Sequence, residues 1–257
     1  MSTGVLETAG ARTTYDVVGQ GPAVLLIHGA EADRRSLAAL AGQLARSATV
    51  ITYDQRDCGD SHSRVASYRL MDLAADAADL LRHLGHARAT VVGTSFGGRV
   101  AQALCLAHPE VVEKLVLCNT WPLDQLLADL NPDGLARLRA LTDGLPHTAP
   151  EVARMFYSAA YVDATPACVD RIAARPVNPF TPQRRALSAE CHALPPGGWA
   201  TGTLLVAGLA DRVVPTTAMQ RFRSLAPQHL FVDLQDVGHS AAVEAPEALA
   251  ECIRGFV

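Results

Sequence analysis

The stretch Thr90-Val91-Val92-Gly93-Thr94-Ser95-Phe96-Gly97-Gly98 runs from a short β-branched segment straight into a helical pattern over 96–107, which stops before Pro109. A strand, then G-x-S-x-G, then a helix places a serine on the turn between two elements. So sharp a turn is expected to hold Ser95 in a strained backbone conformation costing on the order of 1–3 kcal/mol. Gly93 and Gly97 leave the space that strand and helix need to pack across it. The hydroxyl then projects at a helix N-terminus, where free N–H groups and the helix dipole favour developing negative charge. A dinucleotide loop does not fit. Ser95 stands where G-x-G-x-x-G needs its second glycine, and no lysine follows to cradle a phosphate.

Outward from this turn, apolar runs at 24–27, 50–53, 90–92, 115–118, 203–207 and 230–234 predict strands, each too continuous to have one wet face. Residues 12–18 alternate more and predict an antiparallel edge ribbon. Helices are predicted over 36–46, 70–84, 96–107, 216–225 and 246–256. In the second of these, Leu70, Leu73, Ala74, Ala77, Leu80, Leu81 and Leu84 form one stripe opposite Asp72, Asp76, Asp79 and Arg82, and Gly85 supplies the stop. The alternation predicts an α/β fold, a mainly parallel, doubly wound sheet of about eight strands with flanking helices. The rhythm breaks over 119–200, which holds 10 of the 15 prolines and no strand pattern. Helical patches at 135–141 and 151–160 lie between proline-rich connectors near 146–150, 176–182 and 195–198. This is too long for a loop and predicts a helical insertion at 119–200, lying over a core made of 1–118 and 201–257.

The chain has 257 residues, 49% hydrophobic and 19% charged, enough for a sizeable core. Its net charge of -4 lacks the basic footprint of a nucleic-acid binder. Lys114 is the single lysine among 22 basic residues, which leaves almost no room for Schiff-base, pyridoxal or P-loop chemistry. Six scattered cysteines form no C-x-x-C pair, and His83 and His86 find no third ligand, so no metal and no disulfide framework are expected. The first 13 residues carry no apolar signal run and no stretch approaches a membrane span, so a reduced, cytoplasmic location is expected. The expected partner is a small-molecule substrate, with neither nucleic acid nor membrane; a homo-oligomer is compatible with the sequence.

A neutral serine needs a base that is itself oriented by an acid. Asp211 follows the strand at 203–207 and His239 follows the strand at 230–234, both beyond the carboxyl ends of strands, where Ser95 also emerges. The order Ser95, Asp211, His239 is the one such a sheet uses for this triad. Asp124, after the strand ending at 118, is the alternative carboxylate. Backbone N–H groups of Phe96 and, from the loop Ile27-His28-Gly29-Ala30, of Ala30 are the candidate oxyanion donors. His28 is expected to be structural.

These residues together resemble the α/β-hydrolase superfamily over essentially the whole chain. The shared marks are His28-Gly29, the run Tyr53-Asp54-Gln55-Arg56-Asp57-Cys58-Gly59-Asp60-Ser61, the turn at Ser95, Asp211 with Val213-Val214-Pro215, and Gly238-His239-Ser240. In the second run Asp57 stands where the family has a glycine. The run is a loop-stabilising element, so Asp54 and Arg56 are given no catalytic role. The resemblance implies no cofactor, water as the second nucleophile, and a cap at 119–200 that shapes the substrate pocket. Pocket candidates are then Gly29, Trp121, Phe156, Tyr157, Phe180 and Val213, with Tyr161 and Trp199 as further aromatics of the insertion. Arg184-Arg185 reads as a solvated charge pair.

The leading expectation is a serine hydrolase cleaving a carboxylic ester or lactone of a small to medium apolar substrate through an acyl-enzyme. The alternatives keep the triad and change the bond, to a carbon–carbon bond of a diketone-like substrate or an N-terminal proline amide. The amide would need an insertion carboxylate, Glu151 or Glu190, to hold an ammonium. A non-catalytic ligand-binding member of the fold is the third reading. Small Ala30 hints at room for a bulky acyl group.

Overall fold

The computed structural model describes residues 1–175 and 178–257. Its strands are β1 (Ser2–Glu7), β2 (Ala11–Val18), β3 (Ala23–Ile27), β4 (Thr49–Tyr53), the two-residue β5 (His62–Ser63), β6 (Ala89–Thr94), β7 (Val112–Cys118), β8 (Thr203–Gly208) and β9 (His229–Leu234). Among the described residues these nine form one sheet in the order β1-β2-β4-β3-β6-β7-β8-β9, with β5 attached to β2. From β4 to β9 all pairs are parallel. The β1–β2 and β2–β4 pairs are antiparallel.

The continuous apolar strands follow from burial on both faces. Leu25, Ile27, Val91, Leu115 and Leu117 point to one face, packed under α2 (Leu70–His83) and α3 (Phe96–Ala107). Their neighbours Val24, Leu26, Val92 and Val116 point to the other, packed under α1 (Ala38–Leu44) and α12 (Pro246–Phe256). Strand order reverses between β3 and β6, where Ile27 pairs with Gly93. That is the switch point at which open parallel sheets leave a crevice beyond their carboxyl ends.

Three sequence expectations need correction. Residues 12–18 are not the sheet edge: β1, whose Ser-Thr-Gly-Val-Leu-Glu is too polar to signal a strand, lies outside them. Strand β9, the last strand of the sheet among the described residues, does have a wet face: Leu230 is 57% exposed. The single helix expected over 151–160 is two, α6 (Ala149–Phe156) and α7 (Ala159–Ala164). Ser158 separates them: its hydroxyl accepts from Tyr161 N–H and caps α7, and its own N–H donates to the Glu244 carboxylate.

Among the described residues no strand lies between Cys118 and Thr203. The chain there forms α4 (Leu127–Leu130), α5 (Pro132–Asp143), α6, α7, α8 (Ala167–Ala173) and α9 (Thr181–Ser188). Of the proline-rich connector near 176–182, residues 176 and 177 lie outside the described residues. The short helices α10 (Thr216–Gln220) and α11 (Ala241–Glu244) complete the helices.

Arg99, on α3 and fully buried, is tied to both ends of the helical segment. Its Nη1 donates to Pro122 O (2.8 Å) and Gln125 O (3.1 Å), and its Nη2 to Leu123 O (3.4 Å) and to Glu190 O. The guanidinium lies 5.1 Å from the centre of the Trp121 ring. Burial pushes its pKa down to about 10.

Candidate active site

Ser95 joins β6 to α3 at φ 54°, ψ −124°. Only a crowded, well-braced turn holds a non-glycine residue there. Its N–H donates to Cys118 O (2.9 Å), and its carbonyl accepts from Gly98 N (2.9 Å) and Thr120 Oγ1 (2.6 Å). Both elbow glycines are forced by contact: a Cβ on Gly93 would lie 2.6 Å from Gly98 Cα, and one on Gly97 would overlap the carbonyls of Ile27 and His28.

The Ser95 hydroxyl is 2.9 Å from His239 Nε2, and His239 Nδ1 is 2.8 Å from Asp211 Oδ2. The imidazole is 6% exposed and the carboxylate 1%. Asp211 is fixed on both oxygens. Oδ1 accepts the N–H groups of Val213 (2.7 Å) and Val214 (2.9 Å), and Oδ2 accepts Asn119 Nδ2 (2.8 Å) as well as the imidazole. Asp124 is exposed on the loop after β7, so the arrangement at His239 is built with Asp211. The histidine loop is braced from two directions. Gly238 N–H donates to Glu244 (2.8 Å), and Ser240 N–H donates to Phe156 O in the helical segment (3.0 Å).

Asn119 was not legible as part of this site. It directly follows β7, at φ 49°, and its amide bridges Asp211 and, at 3.4 Å, Gly238 O. The available signal was an asparagine, a residue tolerant of the left-handed region, ending a strand beside the elbow strand.

On the other side of Ser95, a Cβ on Gly29 would stand 3.6 Å from Ser95 Cβ, so the β3 loop passes close over the serine. Ala30 and Phe96 both line the cavity that opens on Ser95. Among the described residues the Ala30 N–H donates to no backbone or side-chain group, and the Phe96 N–H is the first of its helix and so has no intrahelical acceptor. His28 is fully buried and serves the loop. Nδ1 contacts Gly29 O (2.8 Å) and Nε2 accepts Gln55 N–H (3.0 Å). Burial, reinforced by the Arg184 charge, pushes its pKa down to about 3, so the ring is neutral. The run after β4 is structural too. Asp54 accepts the N–H groups of Arg34 and Asp60, and Arg56 forks onto Asp76 at 2.6 and 2.8 Å. Asp57 holds φ 60°, the conformation glycine would take most easily, with its carboxylate accepting Ser63 N–H (2.8 Å).

Arg184 and Arg185 are not a solvated pair. Arg184, on α9, is fully buried; Nε donates to Ala30 O (3.0 Å), Nη2 to Gln55 Oε1 (2.9 Å), and the guanidinium stacks 4.7 Å from the Phe96 ring centre. One side chain of the helical segment thus touches both Ala30 and Phe96. Arg185 instead lines the cavity.

That cavity holds about 380 Å³ between the carboxyl edge of the sheet and the helical segment. Of the expected pocket residues, Gly29, Trp121, Phe156, Tyr157 and Val213 line it. Phe180 does not; it precedes α9 and is 43% exposed. Tyr161 packs on Tyr157 at 5.1 Å, and Trp199 is core, 6.2 Å from Phe222 and bonded through Nε1 to Thr203. Neither Glu151, which is exposed, nor Glu190, which is held by Arg69, is among the lining residues. Among the described residues no helix is long and apolar enough to cross a membrane.

A parallel sheet with a serine elbow at its switch point and an aspartate and histidine on the loops after its last two strands is the architecture of one large class of α/β proteins. The chain belongs to the alpha/beta hydrolase fold family, whose model matches residues 22–246. Its relatives include the uncharacterized hydrolase YraK of Bacillus subtilis (strain 168), 37% identical over 120 residues. That match covers 45% of this chain and 44% of YraK, so the chain spans less than half the length of this relative. Among solved structures, Est816, described as an N-acyl homoserine lactone degrading enzyme, superposes with a TM-score of 0.84 at 24% identity, covering 99% of this chain and 100% of that one. A thermophilic esterase from Thermogutta terrifontis gives 0.82 at 23%, covering 100% and 98%. At these identities the likeness is one of fold.

Proposed function

We propose that this chain is a cofactor-independent serine hydrolase that cleaves a carboxylic ester or lactone through an acyl-enzyme. The supporting observation is the unbroken relay Ser95 Oγ–His239 Nε2, His239 Nδ1–Asp211 Oδ2, opening into a mainly apolar cavity. His239 takes the hydroxyl proton as Ser95 Oγ bonds to the carbonyl carbon. The negative charge that develops on the carbonyl oxygen is met by the N–H groups of Ala30 and Phe96. Collapse breaks the carbon–oxygen bond, and the imidazolium returns its proton to the leaving alkoxide. Water, deprotonated by the same imidazole, then releases the acid and restores Ser95. The segment 119–200 acts as the cap that closes this cavity.

The N-terminal proline amide is disfavoured by the placement of Glu151 and Glu190 away from the cavity, which removes the carboxylates meant to hold the substrate ammonium. Labelling with a fluorophosphonate probe is the test. It is expected with the wild-type protein, abolished in Ser95→Ala and strongly reduced in His239→Ala. Labelling that persists in Ser95→Ala refutes the assignment of the nucleophile.

A further inference from the structure

The cavity wall is mostly leucine, valine, alanine and aromatic carbon, yet among the described residues four charged ones line it: Glu31, Arg139, Arg175 and Arg185. Three guanidinium groups against one carboxylate leave two positive charges on the lining. Asp211, 1% exposed behind His239, is saturated by its four donors and adds no free carboxylate to the lining.

Glu31 lies between two of the arginines without quenching them. Its Oε2 is 3.6 Å from Arg175 Nη1 and its Oε1 is 3.5 Å from Arg185 Nε. These are ionic contacts at or beyond hydrogen-bond length, so both guanidinium forks keep N–H donors for another acceptor. Both side chains are about two-fifths exposed, 37% and 41%, open to a ligand arriving in the cavity. Arg185 is placed beside the Ala30 loop by two adjacent contacts. Arg184 Nε holds Ala30 O, and the next residue, Arg185, pairs with the next residue, Glu31. The carboxylate that both cations flank thus belongs to the residue after Ala30, which brings the cation pair to the loop whose N–H faces the reacting carbonyl.

We infer that Arg175 and Arg185 form an anion subsite, so that the preferred substrates are esters or lactones bearing a carboxylate a few carbons from the scissile carbonyl. This rests on the hydrolase reading given above. A planar guanidinium fork matches a carboxylate in geometry as well as charge. A cationic substrate would meet three arginines and a carboxylate already flanked by two of them.

The test uses two aryl esters of equal length, an aryl hexanoate and the monoaryl ester of hexanedioic acid. Their dissociation constants are measured with Ser95→Ala, which does not require turnover, and their kcat/KM with the wild-type protein. The anionic ester is expected to be favoured about tenfold in both, the scale of one charge-assisted hydrogen bond. That ratio should fall about threefold in Arg185→Gln and in Arg175→Gln, rise in Glu31→Gln, and shrink with added salt. Equal binding of the two esters, or a ratio indifferent to all three substitutions, overturns the subsite even where the hexanoate is cleaved. A binding preference without turnover or fluorophosphonate labelling instead leaves the subsite standing and refutes the hydrolase reading.

Discussion

Exchanging Asp211 for asparagine tests the relay most directly, because the structure dictates how the new amide must sit. Oδ1 accepts two backbone N–H groups, from Val213 and Val214, so the asparagine oxygen is confined to that position. The NH2 is forced to the Oδ2 position, where it faces His239 Nδ1 and Asn119 Nδ2. A donor now stands where two donors had an acceptor. His239 can satisfy it only by carrying its proton on Nε2, which then points at Ser95 Oγ and cannot take the hydroxyl proton. In serine hydrolases built on this triad the same exchange costs about 10⁴-fold in kcat, or roughly 5.5 kcal/mol at 1.36 kcal/mol per decade. Stability should fall less, by about 1–3 kcal/mol, since one buried amide loses its acceptor while both backbone bonds survive. Aryl-ester turnover, the rate of fluorophosphonate labelling and thermal unfolding are read on one preparation, with Asp124→Asn expected to keep the wild-type rate. A folded Asp211→Asn protein retaining more than a tenth of wild-type kcat would falsify the assignment of Asp211 as the orienting acid.

Three further outcomes are expected. His28 is held neutral, its pKa pushed down to about 3 against about 6.5 in the unfolded chain. Between those values the unfolded state binds a proton that the folded state refuses, so this residue makes stability fall as pH drops from 6.5, by on the order of a few kcal/mol in all. Urea midpoints from pH 7.5 to 4.5 should decline more steeply in the wild type than in His28→Asn; parallel declines would refute this. Ser95→Gly should abolish ester turnover yet raise stability by about 1 kcal/mol, because glycine adopts positive φ freely. A lower melting temperature would show that the elbow stores no strain. Arg184→Met should cost about 2–4 kcal/mol, since Ala30 O and Gln55 Oε1 lose their charged donor in a buried site; an unchanged urea midpoint would contradict that.

Much of this arrangement was legible from local chemistry. Gly93-x-Ser95-x-Gly97 between a β-branched run and a helical stripe fixes the elbow, because backbone contact on both glycines excludes larger residues. Asp211 and His239 were legible because a parallel sheet delivers every strand's carboxyl end to one edge. What escaped depends on partners far along the chain. Arg184 reads in the sequence like any helix-surface arginine, and only the contact with Ala30, 154 residues away, makes it a buried brace. Asn119 and Glu244 lie in unremarkable local patterns and gain their roles from Asp211 and Gly238. Strand β1 escaped for the opposite reason: its pairing with β2 is continuous, but it buries too little apolar surface to leave a pattern.

The four carbonyls gathered by Arg99 also bear on how the molecule can change over evolutionary time. The chain departs from the sheet at 122–125 and returns at 190 to the same guanidinium. The stretch between those points is bracketed at a single bolt on the helix that follows Ser95. Its composition elsewhere can drift as long as the two backbone ends still meet there and the contacts of Phe156 with Ser240 and of Arg184 with Ala30 and Phe96 are kept. The parallel register of β7 and β8, made by backbone pairing, is then indifferent to the rest of the bracketed stretch.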